Sequence, residues 1–233
     1  MASEVRVRDR AVPLAVMPPP PPRAHSQSEE AYLRIRERIL TLDMPPGSLV
    51  QESRLREELA IGRTPIREAL QRLAHERLVR SVPHRGTFVT DVNITDLARI
   101  TEVRVVLEAH AARLAAERCS PADRASFREL LDAVSRGASD QRQLMRLDQE
   151  IHRHVYRAAR NSFLESTLER YFNLSLRLWY LVLDRQVRLR EAVEEHTELL
   201  NAILAGDGEH AEETMRRHVA GFERGIRAAL VER

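Results

Sequence analysis

Apolar residues recur along this chain with a helical period almost everywhere, and only one short region breaks the rhythm. From Ser28 to Thr41 the residues Tyr32, Ile35 and Ile39, with Leu42 just beyond, share one face, and Met44-Pro45-Pro46-Gly47 stops the run. Leu49–Glu52 reads as a short extended piece. Between Leu55 and Ala74 the pattern predicts two short helices with a tight corner at Ala60–Gly62. In the second of them Thr64 is the expected cap. Pro65 is expected at the first helical position, where its missing N–H would be unpaired anyway. Ile66, Ala69, Leu70, Leu73 and Ala74 then form the core face. Leu78–Val82 and Thr87–Thr90 are β-type runs around Pro83-His84-Arg85-Gly86, a hairpin in which Gly86 can take positive φ.

Asp91–Thr95 is a short hinge, and after it no strand signal returns. Helices are predicted at about 95–118, 121–136, 140–160, 162–184, 187–205 and 208–231, with Pro121 near a start and Gly137, Asn161 and Gly206-Asp207-Gly208 at breaks. The expected fold is therefore mainly α: an N-terminal winged helix-turn-helix domain followed by an all-α bundle of six or seven helices. Residues 28–92 form the first domain and 93–233 the second, preceded by an arm at 1–27 whose Pro18–Pro22 run favours extended polyproline II and disorder.

Composition changes this picture little. A hydrophobic content of 43%, a charged content of 31% and an aromatic content of 4% are those of a charge-rich globular protein that favours helix over sheet. The net charge of +2 does not announce nucleic acid, and the basic side chains are all arginine, so single arginines carry little weight alone. The single Cys119 excludes a disulfide framework within the chain and fits a reducing cytosol, and no run has the length of a membrane span or a signal peptide. A cytoplasmic protein without a membrane partner is expected.

Placement carries the chemistry. Opposite its core face, the second short helix presents Arg67, Gln71 and His75, with Arg63 and Thr64 at its entrance. A helix with arginines and hydroxyls at its N-terminal turn, propped by a neighbour, suits a major groove, although an ordinary solvated helix face has the same look. In the helix from Asp96, Arg104 falls in the centre of the apolar stripe of Leu97, Ile100, Leu107, Ala111 and Ala115. A buried guanidinium needs a partner. Two readings stand open: an ion pair with Glu108 one turn on, or a fork for a ligand carboxylate.

Asp148 and His152 are spaced i, i+4, so both can meet one ion; that carboxylate favours His152 over the equally inward His154. His196 lies in the stripe of Leu189, Val193, Leu200 and Ile203, and His218 in that of Ala211, Met215, Phe222 and Ala229. Asp207 centres the turn between their helices and is equally far from both, so the two imidazoles should face each other across an antiparallel pair. A lone inward histidine is usually a satisfied core residue. Three imidazoles and one carboxylate without a thiolate suit Zn²⁺, Ni²⁺, Mn²⁺ or Fe²⁺, with Zn²⁺ first because it is the accessible ion. Trp179 and Tyr180 are expected to fill core.

The stretch PPGSLVQESRLREELAIGRTPIREALQRLAHERLVRSVPHRGTFV resembles the DNA-binding domain of the GntR family of bacterial transcription regulators. The resemblance implies that Arg63 and Arg67 contact DNA in and beside the major groove, that Thr64 binds phosphate, and that the wing tip His84, Arg85 and Gly86 approaches the minor groove. The sequence departs from the pattern at Gly62, where the family usually has Ser. It departs again at Ser53, where several relatives have Arg, leaving Arg54 beside it as the candidate DNA contact. The segments EVRVVLE, DQEIHRHV and EEHTELLNAILAGDGEHAEETMRRHV resemble the FCD ligand-binding domain of FadR-type members. That likeness implies a homodimer, a metal held by Asp148, His152, His196 and His218, and a small organic-acid or sugar-acid effector whose carboxylate meets Arg104. The function expected is a ligand-responsive regulator, and a repressor by preference, on a near-palindromic double-stranded operator. The alternative is a helical metalloenzyme built on the Asp/His site, against which stand the absence of a clear general base and of a HExxH helix.

Overall fold

The computed structural model describes residues 26–137, 140–182 and 189–231. Residues 1–25 of the proline-rich arm, the residues 183–184 and 187–188 expected at helix ends, and the side chains of Leu189 and Ala229 lie outside what is described. The last two residues assigned to the arm, Ser26 and Gln27, instead cap and begin the first helix.

The first helix, α1 (Gln27–Leu40), starts where Ser26 accepts a hydrogen bond from the Glu29 amide, and it buries Tyr32, Ile35 and Ile39. It packs on α3 (Arg63–His75), which is preceded by α2 (Glu52–Leu59). Ala60, in the left-handed region at φ 54°, ends α2 and turns the chain into α3. Tyr32 fastens the α1–α3 contact: its hydroxyl donates to Glu76 at 2.8 Å, and the Arg72 guanidinium lies 3.5 Å from its ring centre.

Three expectations for α3 need correction. Gly62, not Thr64, is the residue before the helix. It makes no side-chain cap, and its extended backbone (ψ 167°) lets the helix begin at Arg63. Pro65 consequently sits at the third helical position, which still costs no hydrogen bond because the first four N–H groups have no partner in the helix. Ala74 is exposed, since the helix ends one residue later and the chain turns away, whereas Ile66, Ala69, Leu70 and Leu73 are buried.

Strands β1 (Val79–Val82) and β2 (Gly86–Val89) pair antiparallel with Val79 opposite Val89 and Val82 opposite Gly86. His84 (φ 58°) and Gly86 (φ 103°) make the reversal. Leu49 adds a bridge to Phe88, the extended piece foreseen there.

Six helices follow: α4 (Asp96–Arg118), α5 (Pro121–Arg136), α6 (Gln141–Ala158), α7 (Ser162–Val182), α8 (Leu189–Ala205) and α9 (Gly208–Val231). The helix starting at Pro121 has a full capping box, in which Ser120 accepts from the Asp123 amide while Asp123 accepts from the Ser120 amide. At the centre lies α4, running along α9 and also packing on α6, α7 and α8. Its buried alanines, Ala109, Ala111, Ala112, Ala115 and Ala116, let neighbouring backbones come close. Trp179 is core, packed edge-on against Phe222 at 4.8 Å, and Tyr180 is half-buried. The bundle meets the N-terminal head mainly where α7 packs on α1. Among the described residues no helix is long and apolar enough to cross a membrane.

Candidate metal centre and nucleic-acid interface

Asp148 and His152 project from one turn of α6, His196 from α8 and His218 from α9, and all four side chains are buried. One donor atom from each lies within 4.8 Å of all the others. His152 Nε2 stands 3.3 Å from His218 Nε2 and 3.4 Å from His196 Nε2. Asp148 Oδ1 is 3.7 Å from His152 Nε2 and 3.8 Å from His196 Nε2. The rings of His196 and His218 are 4.3 Å apart between centres, so the antiparallel α8–α9 pair does set them face to face. His154 is only half-buried: its Nδ1 turns back to the Glu150 carbonyl, and its ring meets Phe127.

The protonation pattern of these rings decides what the cluster can hold. His152 Nδ1 is 2.6 Å from Glu108 Oε2, and His218 Nδ1 is 3.0 Å from Glu195 Oε2. A carboxylate accepts and does not donate, so Nδ1 is the donor in both rings, and in the neutral imidazole that leaves the Nε2 lone pair facing the cluster. His196 is held well below the ordinary histidine value, first by burial and then by His218 and His152, and is therefore neutral. A tetrahedral ion with bonds of about 2.0–2.1 Å to nitrogen separates its ligand atoms by about 3.3 Å. By donor type, protonation and spacing the four side chains fit a divalent ion of the zinc kind.

Arg104 is 1% exposed, and both of its foreseen partnerships bear on the geometry. Its Nε donates to Glu108 Oε1 at 2.5 Å, so the ion pair one turn on exists. The guanidinium lies between Phe172 and Phe222, 5.2 and 4.9 Å from their ring centres, and its Nη1 is buried without a hydrogen-bond partner among the described residues. Burial opposes both charges, yet the Arg104 and His152 contacts bring the Glu108 carboxyl down to about 2. Burial, followed by Glu108, raises the Tyr156 hydroxyl well above its usual value. Phe172, on α7, also stacks on the His152 ring at 4.9 Å.

Sequence reasoning gave Glu108 one role of two and passed over Arg177. Glu108 appeared only as a partner for Arg104, and nothing in the spacing tied it to a histidine on α6. Arg177, five residues beyond Phe172 on α7, is 2% exposed and reaches into the head. It donates to Thr90 Oγ1 at 2.8 Å and to the Thr90 carbonyl. Thr90 in turn donates to the carbonyls of Arg77 and Leu78 at the root of the hairpin. Burial, partly opposed by Asp91, brings the Arg177 guanidinium down to about 10. The available signal was the one that flagged Arg104, an arginine inside an apolar helical stripe.

On the head, Arg54, Arg63, Thr64, Arg67 and Gln71 are all exposed, as are His84, Arg85 and Gly86 at the hairpin tip. Arg67 Nε pairs with Glu52 at 3.1 Å, and Arg54 Nε with Glu58 at 2.5 Å. Glu52, Arg67 and Gln71 share a depression with Ser81 and Thr87 of the hairpin, so the outward side of α3 and the hairpin form one surface.

Residues 27–89 match the family described as bacterial regulatory proteins, gntR family, and residues 99–221 match the FCD domain. A Paenarthrobacter nicotinovorans protein named as the probable D-xylose utilization operon transcriptional repressor is 33% identical over 77% of this chain and 79% of its own. The HTH-type transcriptional repressor GlaR of Escherichia coli is 29% identical over 82% of this chain and 92% of its own. The solved structure of E. coli McbR/YncC superposes with a TM-score of 0.72, covering 85% of this chain and 98% of that one at 24% identity, a likeness of fold.

Proposed function

Because the chain belongs to the gntR family of bacterial regulatory proteins and carries an FCD domain, we propose that it is a homodimeric repressor released from a near-palindromic operator by a small organic-acid or sugar-acid effector. In this reading Asp148, His152, His196 and His218 hold a divalent metal ion, Zn²⁺ before Ni²⁺, Mn²⁺ or Fe²⁺. The observation that carries the reading is that one chain joins an outward basic helix face to a buried convergence of three imidazoles and a carboxylate.

Arg63, Arg67 and Gln71 face the major groove in this reading, Thr64 and Arg54 meet phosphate, and His84, Arg85 and Gly86 reach the minor groove. Their exposure on the side shared by α3 and the hairpin supports these roles. One head offers few base-reading side chains, which favours two chains on two half-sites. The metal would supply a Lewis-acidic position for an effector carboxylate oxygen. Arg104, whose Nη1 has no partner among the described residues, would take up the charge on the same effector. Repressor names among the relatives support repression as the direction.

Gel-shift titration on DNA upstream of the chain's own operon, with and without candidate acids, tests the proposal. Retarded DNA that an acid releases is the expected result, with affinity falling steeply as salt rises. Absence of binding to that DNA at low salt counts against the whole reading.

A further inference from the structure

Glu108 stands outside the four-residue cluster, yet both of its oxygens are committed: Oε1 to Arg104 Nε at 2.5 Å and Oε2 to His152 Nδ1 at 2.6 Å. All three residues are essentially solvent-free. We propose that Glu108 is a positioning residue that couples metal binding at His152 to the state of the Arg104 guanidinium. The inference rests on the reading of the cluster as a metal site and adds a link between that site and the effector anchor.

The chemistry follows from the two contacts. A histidine that ligates through Nε2 must keep its proton on Nδ1, and an anionic acceptor there fixes the ring and raises its basicity. Glu108 supplies that acceptor and also neutralises Arg104, so its single negative charge is divided between two claims. An anion arriving at Arg104 Nη1 draws the guanidinium toward itself and leaves more of the Glu108 charge for His152. Metal and anion therefore favour each other, and the linkage is reciprocal. Arg104 and Glu108 are one turn apart on α4, so the link crosses between helices only at the Glu108–His152 contact.

The simpler role for Glu108 is to neutralise a buried arginine, and removing both charges together separates the two roles. R104M/E108L replaces the pair with apolar residues of similar volume, a change that buried ion pairs often tolerate. Zinc affinity is read by competition with a chromophoric chelator, with thermal unfolding followed by circular dichroism as the control for folding. The double variant should fold and bind zinc about 10- to 100-fold more weakly than wild type, while R104M alone should bind zinc at least as tightly as wild type. Equal zinc affinity in the folded double variant and wild type overturns the proposal. A second measurement needs no variant: nitrogen NMR of the zinc-loaded wild type should find the proton of His152 on Nδ1, and a proton on Nε2 overturns the proposal too. Wild-type protein that takes up no zinc would instead refute the metal site itself.

Discussion

Arg177→Met tests whether the bundle communicates with the head through the Thr90 clasp. The substitution keeps an apolar stem in α7 and removes the guanidinium. Two charge-assisted hydrogen bonds are lost, worth about 1.5–3 kcal/mol each. Against them stands the burial of the charge. A guanidinium brought down by burial to about 10 carries a penalty of about 3 kcal/mol. The clasp is therefore worth between about 0 and 3 kcal/mol net. Thr90 keeps its own donations to Arg77 and Leu78, so only its carbonyl is left without a partner. Melting should fall by no more than about 12 °C, because 1 kcal/mol moves a chain of this size by roughly 2–4 °C.

Coupling carried by the clasp has the same ceiling, about 3 kcal/mol or roughly 100-fold in affinity. The head has room to respond, since a cavity of about 520 Å³ lined by Arg77, Asp91, Asn93, Arg99 and Arg177 lies at the junction. The assay compares zinc-loaded with chelated protein, reading amide exchange over residues 78–90 and affinity for operator DNA. In wild type, zinc loading should change both, because Phe172 touches His152 and Arg104 and lies on the same helix as Arg177. In Arg177→Met the zinc-dependent difference should shrink to within about twofold of none, with chelated affinity kept. An identical zinc response in variant and wild type refutes transmission through this contact.

Arg67→Ala should weaken operator binding by about 10- to 100-fold and leave melting nearly unchanged, because it breaks only a half-exposed pair with Glu52; a matching loss of fold in circular dichroism would mean the face is structural. His196→Ala or His218→Ala should abolish zinc in elemental analysis and with it the rise in melting temperature on adding zinc; stoichiometric zinc in either variant would place the ion elsewhere. Acid should weaken the metal-free bundle in a definite window. The Glu108 carboxyl is depressed to about 2 from its ordinary 4.5, so its stabilisation is present above about pH 4.5 and is lost as pH falls toward 2, amounting to roughly 3 kcal/mol. Urea midpoints between pH 5 and 3 should drop in wild type and drop less in R104M/E108L, and parallel slopes would show that Glu108 is not the titrating group.

How much of this could be read beforehand depended on the range of the interaction. Helix extents were legible because each is written in a local apolar period and closed by Gly, Pro or a cap. The approach of His196 and His218 was legible as well, because a short turn at Asp207 converts sequence distance into height along two antiparallel helices. Choosing His152 over His154 took one further local fact, the carboxylate of Asp148 a turn earlier. The start of α3 was misread, since Gly62 reaches the entry conformation without a side-chain cap and makes the hydroxyl of Thr64 unnecessary there. Glu108 to His152 and Arg177 to Thr90 join residues on separate helices or domains, and no periodicity records such a meeting. Both connections are marked only by a charge set into an apolar stripe.

Those misplaced charges argue about the bundle as a whole. The interior holds Arg104, Glu108, Asp148 and three histidines, and apolar replacement of buried ion pairs is often neutral or stabilising, so stability alone does not account for them. The local sequence nevertheless enforces it. Alanines line α4 where it packs along α9, the helix that brings His218 to His152, and Glu108 on α4 holds the Nδ1 edge of His152. On the proposal that a metal ion binds there, the ion would join α6, α8 and α9 at one point and reach α4 through Glu108. Phe172 stands against His152 and Arg177 against the head. In the proposed reading the metal-bound and metal-free bundles differ in how these helices are held, and a difference between states is what a ligand needs in order to move a domain that it does not touch.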